Sequence, residues 1–185
     1  PPDEFDPVTN TYFEPFVGGG AVFFDLLPRK AELSDLNSEL VITYNVIKND
    51  VDALIKSLKK HKYEKGYYLE MRAKDPKTLS DLNVASRFIF LNRTCFNGMY
   101  RVNGKGGFNV PFGKYTNPII CDEENLRKVS KALQKVIIKN QDYKNVLKNA
   151  KKGDFVYFDP PYYPVSKTAS FTSYTADSFL DKEQT

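Results

Sequence analysis

A doubly wound α/β sheet, interrupted by an inserted and mainly helical module, is the architecture this sequence predicts. Three observations carry that expectation. The chain opens with a strand, a glycine cluster, a helix and a second strand ending in an acid, the order that begins such a sheet. Helical patterns and a Gly/Asn/Pro-rich segment then break the alternation. Strand–helix–strand order resumes near Val136 and runs into "DFVYFDPPYYP" at residues 154–164.

"TYFEPF" (11–16) reads as a short buried strand entering Gly18-Gly19-Gly20, and "AVFFDLL" continues with a helical apolar face as far as Pro28. "AELSDLN" reads as a second strand ending near Asp35. Asn37 or Ser38 caps the next helix, whose apolar positions Leu40, Val41, Tyr44 and Ile47 recur at helical spacing. Helical patterns cover 51–74 and 80–94. "FNGMYRVNGKGGFNVPFGKYTNP" is too rich in Gly, Asn and Pro for a helix and predicts a hairpin around residues 103–107. A charged helix near 122–134, the strand "KVIIKN", a short helix over about 142–150 and the strand "DFVYFDP" complete the chain. The expected division is a sheet domain of 1–50 and 130–185 around a module of 51–129.

A chain of 185 residues suits one domain carrying an insertion. Its 41% hydrophobic and 27% charged residues are ordinary for a folded protein. No apolar run reaches the roughly 20 residues that span a bilayer, and "PPDEFDPVTN" has none of the features of a secretory signal. There is no initiator methionine, and "FLDKEQT" stops inside an opening helix, so a fragment of a longer chain is expected. Cys95 and Cys121 make neither a disulfide framework nor a zinc cluster, which favours a reduced, cytoplasmic setting. The one histidine, His61, lies in "SLKKHKYEKG" and reads as a solvated helix residue. That leaves no material for a Ser-His-Asp triad or a histidine-based metal site.

The net charge of +4 is modest, but from Leu82 to Cys121 there is no acid, while Arg87, Arg93, Arg101, Lys105 and Lys114 fall inside. Such a window suits a surface facing a polyanion, nucleic acid first; charge alone fits a chance gap in the acids equally well.

The glycine cluster lets backbone approach a nucleotide-like ligand closely. A triphosphate loop would require Lys-Ser or Lys-Thr after the glycines, and a dinucleotide loop a third glycine where Phe23 stands. A nucleoside ligand without phosphates, such as S-adenosylmethionine, needs only the close turn, and Asp35 at the next strand's end suits ribose hydroxyls. A plain structural turn explains the glycines as well.

The corner at Asp159 is more specific. Phe155, Val156, Tyr157 and Phe158 read as buried strand, placing Asp159 at the carboxyl edge where open α/β sheets bind ligands. Pro160 fixes its own φ and Pro161 restricts the residue before it, so the Asp159 carboxylate and the Pro160 carbonyl form a fixed pair of acceptors. Two such acceptors suit an NH2 group, and Tyr162 offers a face for stacking a planar base. The exocyclic nitrogen of adenine is a poor nucleophile because its lone pair is delocalised. Accepting both its hydrogens would aim that lone pair at an electrophilic methyl, by positioning and preorganised electrostatics. In a duplex the base must first be flipped out.

With these stretches in view, "EPFVGGGAVF", "SDLNSELV", "LNRTCFNGMYRVNGKGGFNVPFGKY" and "DPPYYPVSKTASFTSYT" together resemble the adenine-N6 DNA methyltransferases, and within them the Dam-type group that methylates the A of GATC, restriction-modification relatives included. The matches cover most of the chain in the family's order. The resemblance implies a Rossmann-like S-adenosylmethionine-dependent methyltransferase sheet with an inserted target-recognition module, incomplete at both ends, in a prokaryotic or phage protein. It places Phe16, Gly18, Gly20, Asp35, Asp142, Tyr143 and Asp159 at the S-adenosylmethionine, and Asp159, Pro160 and Tyr162 at the target adenine, with no metal. Asn97, Met99 and Arg101 match the hairpin that enters DNA, Arg101 reading a guanine edge. Arg93, Lys105 and Lys114 fall to phosphates, and Tyr115 to a position near the DNA or to hairpin packing. Double-stranded DNA is the implied partner, with a cognate restriction endonuclease on the same site and a monomeric state as further expectations. Two alternatives stay open: an inactive DNA-binding fragment of such an enzyme, and related chemistry on RNA or a protein amide, whose enzymes usually carry Asn at the position of Asp159.

Overall fold

The computed structural model describes residues 2–104 and 106–160, which divide into two compact units. The first, Pro1–Val51 with Glu123–Asp159, is built on a parallel sheet of β1 (Tyr12–Glu14), β2 (Ala31–Asp35), β3 (Val136–Asn140) and β4 (Phe155–Val156) in the order β3-β2-β1-β4. β1 is buried along its whole length and pairs on both sides, Tyr12 opposite Ala31 of β2 and Phe155 of β4. Strands covered on both faces read as nearly continuous apolar runs; β1 contributes Tyr12 and Phe13 to that pattern and buries Glu14 after them. From β1 the chain builds outward through β2 to β3, then returns to lay β4 on the other flank of β1. That reversal falls between β1 and β4, the kind of switch point at whose carboxyl ends doubly wound sheets bind ligands.

Helices pack where the periodicity predicts. α1 (Ala21–Leu26) follows the glycines. α2 (Ser38–Asn49) starts at Asn37, whose side chain accepts the Leu40 amide, and buries Val41, Tyr44 and Ile47. Its far end is sewn to β3, since Lys48 Nζ donates to the Val136 carbonyl at 2.8 Å and Gln134 to that of Lys48.

Residues Asp52–Asp122 form the second unit. The expected helical stretch of 51–74 divides into α3 (Val51–Leu58) and α4 (Lys65–Ala73), followed by α5 (Asp81–Thr94), which Ser80 caps. The break surrounds His61, and here the expectation of a solvated helix residue is corrected. Its ring stacks on Phe90 with centroids 4.4 Å apart, while Nδ1 meets Tyr67 Oη at 2.8 Å and Ser86 Oγ lies 2.9 Å from Nε2. Burial, with the nearby Lys74 charge, pushes its pKa down to about 4.

Arg87 also departs from the polyanion-facing role. It is 2% exposed, and its guanidinium donates to the carbonyls of Met71 and Arg72 at the end of α4. A cation at a helix C-terminus satisfies carbonyls that have no intrahelical partner. Around it Tyr68, Met71, Phe90, Leu91, Cys95, Phe108 and Val110 make one core. The hairpin has the expected turn, with Asn103 N donating to Gly107 O and Val102 opposite Phe108. It is pinned to α4 through Val110, whose carbonyl takes the hydroxyl of Tyr68 and Nη1 of Arg72. Cys95, which ends α5, bridges to Phe112 so closely that a Cβ on Gly113 would lie 2.7 Å from the Cys95 carbonyl oxygen.

The last strand is the other departure. β4 spans two residues, Phe155 to Tyr157 are half-buried and Phe158 is 42% exposed. Among the described residues β4 pairs with β1 alone, so one flank and part of its faces stay uncovered.

Two measurements check this packing. An unfolded histidine titrates near 6.5 and His61 near 4 in the fold, so the unfolded chain binds the extra proton between those values. His61 therefore makes no demand above pH 6.5, and stability should fall as pH drops from there towards 4. The urea midpoint of His61→Phe should fall less over that window; equal slopes would show that another group is responsible. Gly113→Ala should cost about 1–3 kcal/mol in denaturant unfolding, because its methyl meets backbone that cannot rotate away.

Candidate active site

Four chain segments converge on the carboxyl edge of the sheet. β1 delivers Pro15, Phe16 and the glycine turn, β2 delivers Asp35, the segment after β3 delivers Asp142 and Tyr143, and β4 runs into Phe158 and Asp159. Six of the residues expected at a cofactor and its target therefore lie along one edge: Phe16, Gly18, Asp35, Asp142, Tyr143 and Asp159.

The glycine turn is held from two sides. Gly18 N donates to Asp35 Oδ2 at 3.2 Å, and the Gly18 carbonyl accepts the Tyr44 hydroxyl at 2.9 Å. Asp35 Oδ1 takes the Asn37 amide at 2.8 Å, so one carboxylate links the turn to the start of α2. Each oxygen of Asp35 retains acceptor capacity beyond these bonds. Burial raises the Asp35 pKa, while the amides of Asn37, Gly18 and Leu36 pull it back. Gly20 has φ 67°, and a Cβ there would sit 3.0 Å from the Phe24 ring and 3.1 Å from Tyr44 Oη, so the position demands glycine. At Gly19 a Cβ would meet nothing within 4 Å, leaving the outer face of the turn open.

Three aromatic rings line the same edge. Phe16 and Tyr143 stack with centroids 5.4 Å apart, and Phe158 stands 6.2 Å from Phe16 and edge-on to Tyr143 at 6.3 Å. Asp142 caps the 3-10 turn carrying Tyr143, its Oδ1 accepting the Lys144 amide. Open space beside a glycine turn, flat apolar faces and a carboxylate with spare acceptor sites fit a nucleoside-bearing molecule.

Sequence reasoning passed over Glu14. It is buried at the end of β1 and accepts the Tyr12 hydroxyl at 2.7 Å. Burial raises its pKa and the charge of Asp159 adds to the rise, while Tyr12 and Phe23 oppose it. An acid inside the apolar run "YFEPF" was the available signal. Tyr44 was read only as an apolar helix position, and the exposed Leu36 beside Asp35 gave no signal at all.

In the second unit, Arg93, Asn97 and Tyr115 line one groove of about 630 Å³ with Asn92, Gly98, Pro118 and Ile119. Asn97 has φ 54°, and the Asn92 side chain donates to the Gly98 carbonyl at 2.7 Å, which fixes the bend. Tyr115 donates its hydroxyl to the Cys95 carbonyl while part of its ring stays exposed. Lys114 is exposed, and Met99 packs against the core of this unit. Arg101 stands apart from the groove, its Nε donating to Asn109 Oδ1 at 2.8 Å. Lys105 and Tyr162 lie outside the described residues; Pro160 follows Asp159, the last residue of the first unit.

A model of the D12 class N6 adenine-specific DNA methyltransferases matches residues 3–185. The chain is 45% identical over 183 residues to the Type II methyltransferase M1.LlaDCHI of Lactococcus lactis subsp. cremoris, covering 95% of this chain and 64% of that protein. It is 48% identical over 189 residues to the Type II methyltransferase M.MjaIII of Methanocaldococcus jannaschii, covering 94% and 65%. To a DNA adenine methylase of Vibrio cholerae it is 34% identical over 182 residues, covering 96% and 65%. The chain thus spans just under two thirds of the length of these relatives. On the family match, which takes in nearly its whole length, the chain belongs to the D12 class N6 adenine-specific DNA methyltransferase family.

Proposed function

We propose that the protein methylates N6 of a flipped adenine in double-stranded DNA, using S-adenosylmethionine, with GATC as its site. The observation that carries this reading is the meeting of Phe16, Asp35, Tyr143 and Asp159 along one sheet edge, around a glycine turn with open space beside it. Membership in an N6-adenine family supports it, as does the name DNA adenine methylase of a relative.

In this reading Asp35 takes the ribose, Phe16, Gly18 and Gly20 line the site, and the segment of Asp142 and Tyr143 flanks the adenine of the bound molecule. S-adenosylmethionine, when bound, supplies an electrophilic methyl on a sulfonium. Asp159 and the Pro160 carbonyl accept the two hydrogens of the target amine and aim its lone pair. Transfer would break the S–CH3 bond, leaving a neutral thioether, and would leave the methylated nitrogen one proton to release, which the Asp159 carboxylate, the basic member of the pair, would hold. Tyr162 supplies the stacking face for the flipped base. Glu14 and Tyr44 act at one remove, Glu14 on Tyr12 along β1 and Tyr44 on the turn through the Gly18 carbonyl.

Residues 1–50 and 130–185 form the catalytic part in this proposal, and 51–129 the target-recognition module. Arg93, Asn97, Lys105, Lys114 and Tyr115 contact the DNA, Met99 enters with the hairpin, and Arg101 reads a guanine edge. A monomeric state and a cognate restriction endonuclease acting on the same site belong to the same proposal.

Transfer of labelled methyl groups to duplexes with and without GATC tests the reading; incorporation independent of that sequence would refute the site, and no incorporation with any duplex the activity. Asp159→Ala should abolish methylation while mobility-shift binding to DNA persists, and near-normal turnover would remove Asp159 from the chemistry. Arg101→Ala should relax discrimination at one base pair by about 1–3 kcal/mol, read from methylation rates on duplexes altered one position at a time.

A further inference from the structure

The Arg101–Asn109 pair lies across the two arms of the hairpin. The arms are held together by the Val102–Phe108 bridge and by Asn109 N donating to the Arg101 carbonyl at 3.0 Å. The side chains repeat the connection, since Arg101 Nε donates to Asn109 Oδ1 at 2.8 Å. Nε–H can only donate, so the amide oxygen must face it and the Asn109 rotamer is defined chemically.

Asn109 is itself rigidly placed. Its neighbours Phe108 and Val110 are both buried in the core of the second unit, Phe108 against Tyr100 and Val110 under the Tyr68 hydroxyl. Arg101 is half-buried beside it. A guanidinium tethered through Nε loses most of its swing and presents its two terminal nitrogens together. That end-on fork is what the adjacent O6 and N7 acceptors of a guanine require. An untethered arginine would have to give up its rotamer freedom on binding, and would reach a phosphate as readily as a base edge.

We propose that Asn109 is a positioning residue for base reading: by holding Nε of Arg101, it directs the arginine fork to a guanine edge and away from the DNA backbone. This rests on Arg101 being the guanine reader. The observable consequence is discrimination between sites, separate from overall affinity.

The experiment compares Arg101→Ala, Asn109→Ala, Asn109→Asp and the double alanine variant. Methylation rates and DNA affinities are measured on the cognate duplex and on duplexes altered one base pair at a time, with thermal midpoints recorded. Asn109→Ala should lower discrimination about three- to tenfold at the base pair that Arg101→Ala affects, and at no other. The double variant should discriminate as Arg101→Ala alone, the non-additivity of two groups acting through one contact. Asn109→Asp keeps the acceptor for Nε and should retain discrimination while binding every duplex more weakly, its charge facing phosphates. Asn109→Leu, similar in size but without an acceptor, stands in should the alanine variant lose its fold. If Arg101→Ala relaxes discrimination and Asn109→Ala does not, or Asn109→Ala weakens all duplexes equally, the positioning role is overturned and the arginine reading stands. If Arg101→Ala leaves discrimination intact, the arginine reading falls and this role with it.

Discussion

The arrangement of the first unit depends on β1, three residues long and hydrogen-bonded on both sides. Parallel strands need neighbours to satisfy their amides and carbonyls, and β1 has β2 on one flank and β4 on the other. Because all these pairings are parallel, the strands' carboxyl ends lie along one edge. The glycine turn, Asp35 and the corner at Asp159 share an edge for that reason. Two side chains keep the edge in shape: half-buried Asp35 ties the turn to α2, and buried Glu14 takes the Tyr12 hydroxyl along β1.

The second unit is organised by different means. Its helices are joined by polar side chains turned inward: Arg87 on the end of α4, the Tyr68 hydroxyl on the hairpin at Val110, and His61 between Tyr67 and Ser86 on the Phe90 ring. Buried polar groups of this kind are costly unless fully partnered, and partnered they define one packing. The hairpin consequently rests on a firm base. A loop supported in this way has less freedom to lose on binding a partner.

Much of this was legible in the residues. The strand, the glycine turn and the capped helix of "TYFEPFVGGG" and "SDLNSEL" follow from local rules, and Asn37 caps α2 as its chemistry predicts. The hairpin turn follows from its glycines and Asn103. His61 and Arg87 were misread because a polar residue among lysines and on a helix looks solvated from its neighbours in sequence. What buries them is Phe90 for the one and the carbonyls of α4 for the other, and those partners are distant in the chain. The last strand was read as buried from its four apolar residues, yet Phe158 is exposed, since burial depends on what covers a strand as well as on what it contains.

By itself the sequence determined the element order, the residue types available for chemistry and the family they belong to, because propensity, capping and motif spacing act over a few residues. Which strand lies beside which, that Asp35 and Tyr44 both grip Gly18, that Glu14 is buried under the Tyr12 hydroxyl and that Asn109 holds Arg101, only the tertiary structure decided. Each of those is a contact between side chain or backbone groups brought together by burial, and burial is a property of the whole packed unit that no local stretch encodes.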